Sequence, residues 1–209
     1  MNIALFGATG GTGRQVLAQA LGQGHRIQAL ARTPASLTGD QTVGDQGHLT
    51  VIAGDVLDPN PVNACIHGTD AVICVLGTRP GGTPIEATGT AVILAAMQRQ
   101  GVRRLIAVTS MGVGDSKDQV PLFFKVLMQL ALKKVMAAKE EQERLIQASR
   151  LDWTIVRPGG LTDGARTGTY RSGTDKSLIA ARLTRADVAD FVLQQLTDDR
   201  YLHQAPTVT

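Results

Sequence analysis

Ile3-Ala4-Leu5-Phe6-Gly7-Ala8-Thr9-Gly10-Gly11-Thr12-Gly13 opens the chain, a short apolar run that leads straight into a glycine-rich turn. Gly7, Gly10 and Gly13 are spaced G-x-x-G-x-x-G rather than G-x-G-x-x-G. Val16, Leu17, Ala20 and Leu21 follow at the spacing of one apolar helix face. Gly22 and Gly24 then lead into a second apolar run, Ile27–Ala31. Glycine permits the tight turn and lets the backbone approach a pyrophosphate. The N-terminus of the next helix supplies unpaired N–H groups and the positive end of its dipole. A tight strand-to-helix turn would also use glycine, but the order strand, loop, helix, strand favours a dinucleotide-binding loop.

The end of the second strand selects the nucleotide. An Asp or Glu there bonds the ribose hydroxyls of NAD, whereas a 2′-phosphate calls for a guanidinium. Arg32-Thr33 occupies the position, with no acid before Asp40. The sequence therefore favours NADP(H) over NAD(H), unless Arg32 is an ordinary solvated cation at a strand end.

Outward from this unit, short apolar runs alternate with longer amphipathic stretches. The pattern predicts an α/β fold, a doubly wound, mainly parallel Rossmann-like sheet in a single domain over residues 1–209. Strands are expected at Asn2–Phe6, Ile27–Ala31, Leu49–Ala53, Ala71–Leu76, Arg104–Thr109 and Trp153–Val156, with a late one near Pro206–Val208. Helices are expected at Gly11–Gly22, Asn60–Ile66, Pro84–Gln100, Pro121–Ser149 and Arg185–Leu196. Ligands of such sheets sit beyond the C-terminal strand ends. The expected rim is therefore Gly7–Gly13, Arg32, Gly54–Val56, Gly77–Arg79, Ser110–Gly112 and Pro158–Gly160.

With 209 residues, the chain can bury about 70% of its unfolded surface in one core but has no room for a large substrate domain. A formal charge of +3 suits an acidic ligand, while 3% aromatic residues provide no stacking platform for nucleic acid. Cys65 and Cys74 form no C-x-x-C and are expected to be buried, reduced thiols of a cytoplasmic protein. His25, His48, His67 and His203 show no metal spacing, and no signal peptide is evident.

Gly7–Gly13, Gly54-Asp55-Val56-Leu57-Asp58, Asp70-Ala71-Val72-Ile73, Leu76-Gly77-Thr78-Arg79, Thr109-Ser110, Asp152–Gly159 and Thr184-Arg185-Ala186-Asp187-Val188-Ala189 resemble an atypical short-chain dehydrogenase/reductase. The likeness runs through nearly the whole chain and is greatest to the biliverdin reductase B and flavin reductase branch. It implies that Thr9, Gly10, Gly11 and Thr12, between Gly7 and Gly13, hold the pyrophosphate, and that Arg32 and Thr33 hold the 2′-phosphate. Asp55 and Val56 would contact adenine; Leu76, Gly77 and Arg79 would line the nicotinamide side, with Thr109 and Pro158 in the same cofactor-lining set. Ser110 would stand beside the nicotinamide as a hydrogen-bond or proton donor; the residues alone also allow it to be a turn cap.

Short-chain dehydrogenases typically carry Tyr-x-x-x-Lys. Here Lys139 is present, but Val135 stands four residues before it, and Tyr170 and Tyr201 lack the spacing. Lys139 remains a candidate to bond the nicotinamide ribose, or is an exposed helix lysine. The branch also places a histidine where this chain has Gly160. Ketone or alcohol chemistry is thereby disfavoured. Hydride transfer from NADPH to a planar conjugated acceptor, a flavin or a biliverdin-type tetrapyrrole, needs proximity more than an enzymic acid. A quinone reductase and a non-catalytic NADP(H)-sensing or assembly protein are the alternatives. Leu122, Phe123, Val126, Leu127, Leu130 and Leu132, with the polar stripe Lys125, Gln129 and Lys133, mark Pro121–Met136 as a core helix or pocket lid. Its lysines give only a weak signal for anionic lipid. Glu140, Glu143 and Arg144 read as a solvated helix face.

Overall fold

The computed structural model describes residues 1–38, 47–78, 81–120 and 132–209. Five apolar segments form the parallel centre of the sheet: β1 (Asn2–Phe6), β2 (Arg26–Ala31), β4 (Ala71–Cys74), β5 (Arg104–Val108) and β6 (Asp152–Pro158). β3 (Leu49–Ala53) continues the sheet beyond β2. Beyond β6 lies β10 (Thr207–Val208), parallel to it, followed by the antiparallel edge β8 (Ser172–Gly173). The order is β3-β2-β1-β4-β5-β6-β10-β8, and β7 (Gly160–Thr162) pairs separately with β9 (Arg182–Thr184).

Alternation along the strands sends side chains to two covered faces, which is why these strands are mostly apolar. Ile3 and Leu5 pack with Val16 and Leu17 of α1 (Gly11–Gly22) and with Val188 and Phe191 of α6 (Arg185–Gln194). Ala4 and Phe6 point the other way. They join Ile66 of α3 (Pro59–Ile66), Ile93 and Met97 of α4 (Glu86–Gln100), and Ile146 of α5 (Lys133–Ala148). A further turn, α2 (Ala35–Thr38), follows β2. The Asp58 carboxylate caps α3 by accepting from Asn60 N–H at 2.9 Å, and Gly101 ends α4 in the left-handed region at φ 71°.

The doubly wound sheet expected from sequence is present, with α1 at its predicted limits. Of the helix expected over Pro121–Ser149, residues 121–131 lie outside the described segments, and the described part is α5. β4 stops at Cys74 rather than Leu76, although Val75 N–H still donates to the Phe6 carbonyl at 2.8 Å. α6 ends at Gln194, two residues before its expected end. α2, β7, β8 and β9 had not been expected; each has two to four residues, too few for periodicity to register.

Chain order reverses between β1 and β4, where Phe6 pairs with Leu30 on one side and Cys74 on the other. A crevice opens beyond the carboxyl ends of strands at such a switch point. Gly7 and Val75 stand at its mouth.

Candidate functional site

The glycine loop is built by close backbone approach. Gly7 adopts φ 87°, and a Cβ there would lie 2.3 Å from the Val75 carbonyl oxygen. A Cβ on Gly13 would lie 2.1 Å from the Gly7 oxygen, so the start of α1 rests directly on the turn. Gly10 N–H donates to the Gly7 carbonyl at 3.0 Å, and Arg14 N–H to the Gly10 carbonyl at 2.9 Å. Gly10 caps α1 in an extended conformation without a side-chain cap. The N–H groups of the first turn therefore face the crevice mouth unclaimed by any capping side chain. Thr12 and Gly13 are buried, Thr9 is half-buried, and Gly10 and Gly11 are exposed. This is a cradle into which a diphosphate fits and a side chain does not.

Arg32 and Thr33 stand exposed just past β2. The Thr33 carbonyl accepts from Ser36 N–H at 3.0 Å and Ser36 Oγ at 2.7 Å, which fixes the turn into α2. Arg14 Nη2 donates to the Ser36 carbonyl at 3.0 Å, bringing a second guanidinium to this corner. Sequence reasoning missed Arg14, although its place directly after Gly13 was a usable signal. Asp55 Oδ1 accepts from Leu57 N–H at 3.0 Å. Val56 and Leu76 are both buried and converge over Gly89 of α4, where a Cβ would come within 3.0 Å of each.

At another corner of the crevice a layer of charge is held between strand ends and helices. Glu86, fully buried in the first turn of α4, accepts from Thr78 N–H at 2.9 Å, Thr78 Oγ1 at 2.7 Å and Ile85 N–H at 3.0 Å. It therefore pins the loop of Leu76 and the exposed Gly77; Arg79 lies outside the described residues. Glu143 of α5 is 3% exposed and accepts from Thr109 Oγ1 at 2.6 Å, Arg157 Nε at 3.0 Å and Arg157 Nη2 at 2.6 Å. Arg157 Nη1 also donates to Asp115 at 2.5 Å. Burial opposes ionisation of Asp115, yet this guanidinium holds its carboxyl below the usual range.

Glu143 was expected on a solvated face, and the structure corrects this. α5 turns it toward β5 and β6, where the buried Arg157 requires a counter-charge. Its neighbours do face solvent: Glu140 pairs with Lys117 at 2.6 Å, and Arg144 with Glu141 at 2.6 Å.

Lys139, one turn before Glu143 on α5, is half-buried. Burial pushes its ammonium below the ordinary lysine value, while the fields of Glu86, Cys74 and Glu143 pull it back up. Cys74 is fully buried, which pushes its thiol up. It lies 3.8 Å from both Thr90 Oγ1 and Gln142 Nε2. Ser110 is half-buried, and its hydroxyl donates to the Met111 carbonyl at 3.0 Å. Met111 N–H donates to the carbonyl of buried Pro158 at 3.0 Å, tying the ends of β5 and β6 together. Val135 precedes Lys139 on α5, whereas Tyr170 and Tyr201 pack against Phe191 of α6, on the opposite sheet face. Gly160 opens β7, its N–H donating to the Ala181 carbonyl at 2.9 Å.

A family model described as NAD(P)H-binding matches residues 7–199. The chain belongs to the NAD(P)H-binding family. An uncharacterised chloroplastic protein of Arabidopsis thaliana is 31% identical over 208 residues, covering 94% of this chain and 72% of that protein. The structure of ChuY, an anaerobillin reductase from Escherichia coli O157:H7, superposes with a TM-score of 0.82 at 27% identity, over 100% of this chain and 96% of the other. A short-chain dehydrogenase/reductase from Veillonella parvula, solved in complex with NADP, shares the fold with a TM-score of 0.84 at 19% identity, over 99% of this chain and 93% of that one. The chain is therefore an NAD(P)H-binding protein with a Rossmann-like fold, and the crevice described above opens at its β1/β4 switch point. Among the described residues no helix is long and apolar enough to cross a membrane.

Proposed function

We propose that this protein is an NADPH-dependent reductase whose acceptor is a planar conjugated molecule, a flavin or a biliverdin-type tetrapyrrole. One observation carries the reading: α5 carries Lys139 with Val135 in place of a tyrosine acid, Ser110 follows β5, and both tyrosines pack on the far sheet face. The bound dinucleotide supplies the hydride. An acceptor that delocalises the resulting charge can take its proton from water, so the residues need only position the two rings at about 3 to 3.5 Å.

In this reading Thr9, Gly10, Gly11 and Thr12 receive the pyrophosphate between Gly7 and Gly13. Arg32 and Thr33 receive the 2′-phosphate, which is the basis for preferring NADPH to NADH. Asp55 and Val56 border the adenine, and Leu76, Gly77, Thr109 and Pro158 line the other end. Lys139 bonds the nicotinamide ribose. The Ser110 hydroxyl turns from the Met111 carbonyl toward the acceptor, a rotation that costs one neutral hydrogen bond of about 1 kcal/mol. The loops after β5 and β6 enclose the acceptor. The resemblance to ChuY, itself an anaerobillin reductase, supports an acceptor of tetrapyrrole type.

The test is NADPH oxidation at 340 nm with FMN, FAD, biliverdin and a quinone, with NADH as the parallel donor. Turnover with flavin or biliverdin, faster with NADPH, is the expected result. Preferential turnover of the quinone would replace the acceptor class, and tight NADPH binding without turnover would indicate a sensor or assembly protein.

A further inference from the structure

Outside the residues assigned above, one cation lies across the glycine loop itself. Arg185 is the first residue of α6, and two contacts fix its backbone. The Thr184 hydroxyl caps the helix by accepting from Asp187 N–H at 3.0 Å, and Gln19 Nε2 of α1 donates to the Ala186 carbonyl at 2.9 Å. α6 is thus locked to the helix that begins at the loop. From there the Arg185 side chain crosses Gly11: a Cβ on Gly11 would lie 2.8 Å from both Cδ and Nε of Arg185. Gly11 is the first residue of α1, where the uncapped N–H groups of the cradle begin.

Beyond Gly11, Arg185 Nη1 donates to Asp163 Oδ1 at 2.7 Å. The Asp163 side chain is 91% exposed, against 29% for Arg185. A pair with so exposed a carboxylate is held weakly, since water replaces the arginine at little cost. The segment that follows is anchored differently. Asp187 accepts from Thr167 N–H at 2.8 Å, Gly168 N–H at 2.9 Å and Thr167 Oγ1 at 2.8 Å, and Arg166 pairs with Asp190 at 2.8 Å. Asp163 can therefore leave Arg185 without unfastening residues 166–168.

We infer that Arg185 is a pyrophosphate ligand, a clasp that exchanges the Asp163 carboxylate for the diphosphate of the dinucleotide. This rests on the cofactor reading above and deepens it. A dianion seated on the first turn of α1 meets the guanidinium over Gly11, whose planar fork matches two phosphate oxygens. Because the diphosphate is common to NADPH and NADH, Arg185 contributes to both, whereas Arg32 contributes to the 2′-phosphate alone. Asp163 competes with the ligand for the same guanidinium.

The test measures dissociation constants of NADPH, NADH and adenosine 2′-monophosphate, which lacks the diphosphate, for the wild type, Arg185→Ala, Arg185→Lys and Asp163→Asn, with a thermal melt of each. Arg185→Ala should weaken NADPH and NADH alike, by about 10- to 100-fold for one lost charged contact, and leave adenosine 2′-monophosphate within about twofold. Arg185→Lys should recover part of the loss. Asp163→Asn should tighten both dinucleotides severalfold, by removing the competitor. Unchanged dinucleotide affinity in Arg185→Ala overturns the inference. So does a loss shared equally by adenosine 2′-monophosphate and accompanied by a lower melting temperature, which would make Arg185 a structural residue only. A wild type that binds adenosine 2′-monophosphate but neither dinucleotide would instead overturn the cofactor reading beneath it.

Discussion

Replacing Glu143 by Gln keeps the side-chain volume and removes one charge from the most deeply buried ion pair described in the structure. Glu143 and Arg157 are each 3% exposed, and the carboxylate accepts three hydrogen bonds, two from the guanidinium and one from Thr109. The amide oxygen in the place of Oε1 can keep both Thr109 and Arg157 Nε, but the NH2 group in the place of Oε2 confronts Arg157 Nη2 as donor against donor. One charged hydrogen bond is worth about 1.5 to 3 kcal/mol, and removing one partner of a buried pair costs about 3 to 5 kcal/mol. Asp115 stays bonded to Arg157, but its side chain is 71% exposed and compensates only in part. The expected loss is therefore about 3 kcal/mol, or about 6 to 12 °C in melting temperature for a chain of this size. Thermal and urea unfolding at pH 7 measure it, and Arg157→Met on the Gln background should restore part of the loss by removing the stranded cation. A shift under about 2 °C, or a double variant as unstable as the sum of the two single changes, would refute the account.

Arg32→Ala should weaken NADPH by about 10- to 100-fold and NADH by less than about twofold in a fluorescence titration, since only the 2′-phosphate contact is lost. Equal losses would remove the assignment. Ser110→Ala should lower kcat while leaving NADPH affinity unchanged if the hydroxyl acts on the acceptor, and unchanged kcat would leave it only its local contact with the Met111 carbonyl. Lys139, held below 10.5 by burial, loses its charge at a lower pH than an ordinary lysine. NADPH affinity should accordingly fall as pH rises, with the fall beginning below pH 10.5. Lys139→Arg should abolish that dependence while keeping the affinity; a fall of the same shape in Lys139→Ala would assign it to another group.

The glycine loop and α1 were legible because their determinants are local: an apolar run, three glycines and one amphipathic face within some twenty residues. The central strands were legible for the related reason that burial on both faces makes them continuously apolar. Glu143 was not, because four consecutive residues of α5, Lys139 to Gln142, are polar before it and Arg144 follows, so nothing local separates the inward face from the outward one. The signal lay in its partner. Arg157 interrupts the otherwise apolar run Ile155-Val156-Arg157-Pro158, and a cation inside a buried strand demands a carboxylate from whichever helix covers it. Arg185 had still less signal, since its approach to Gly11 depends on α6 packing against α1 across more than 160 residues of chain.

The cations along the crevice are restrained in different ways, and this bears on how the site works. Arg185 is held by a carboxylate that is almost fully exposed, and Arg32 stands in solvent, so neither gives up a strong interaction when a phosphate arrives. Lys139 sits instead in the field of two buried carboxylates that are themselves fixed, Glu86 by Thr78 and Glu143 by Arg157 and Thr109. These cannot exchange without stranding a buried charge. In the proposed reading, the phosphate-binding end thus adjusts on occupancy while the reacting end is set beforehand. That arrangement suits a reaction in which the protein contributes orientation and no acid, because its rate depends on how little the ring-facing groups must move.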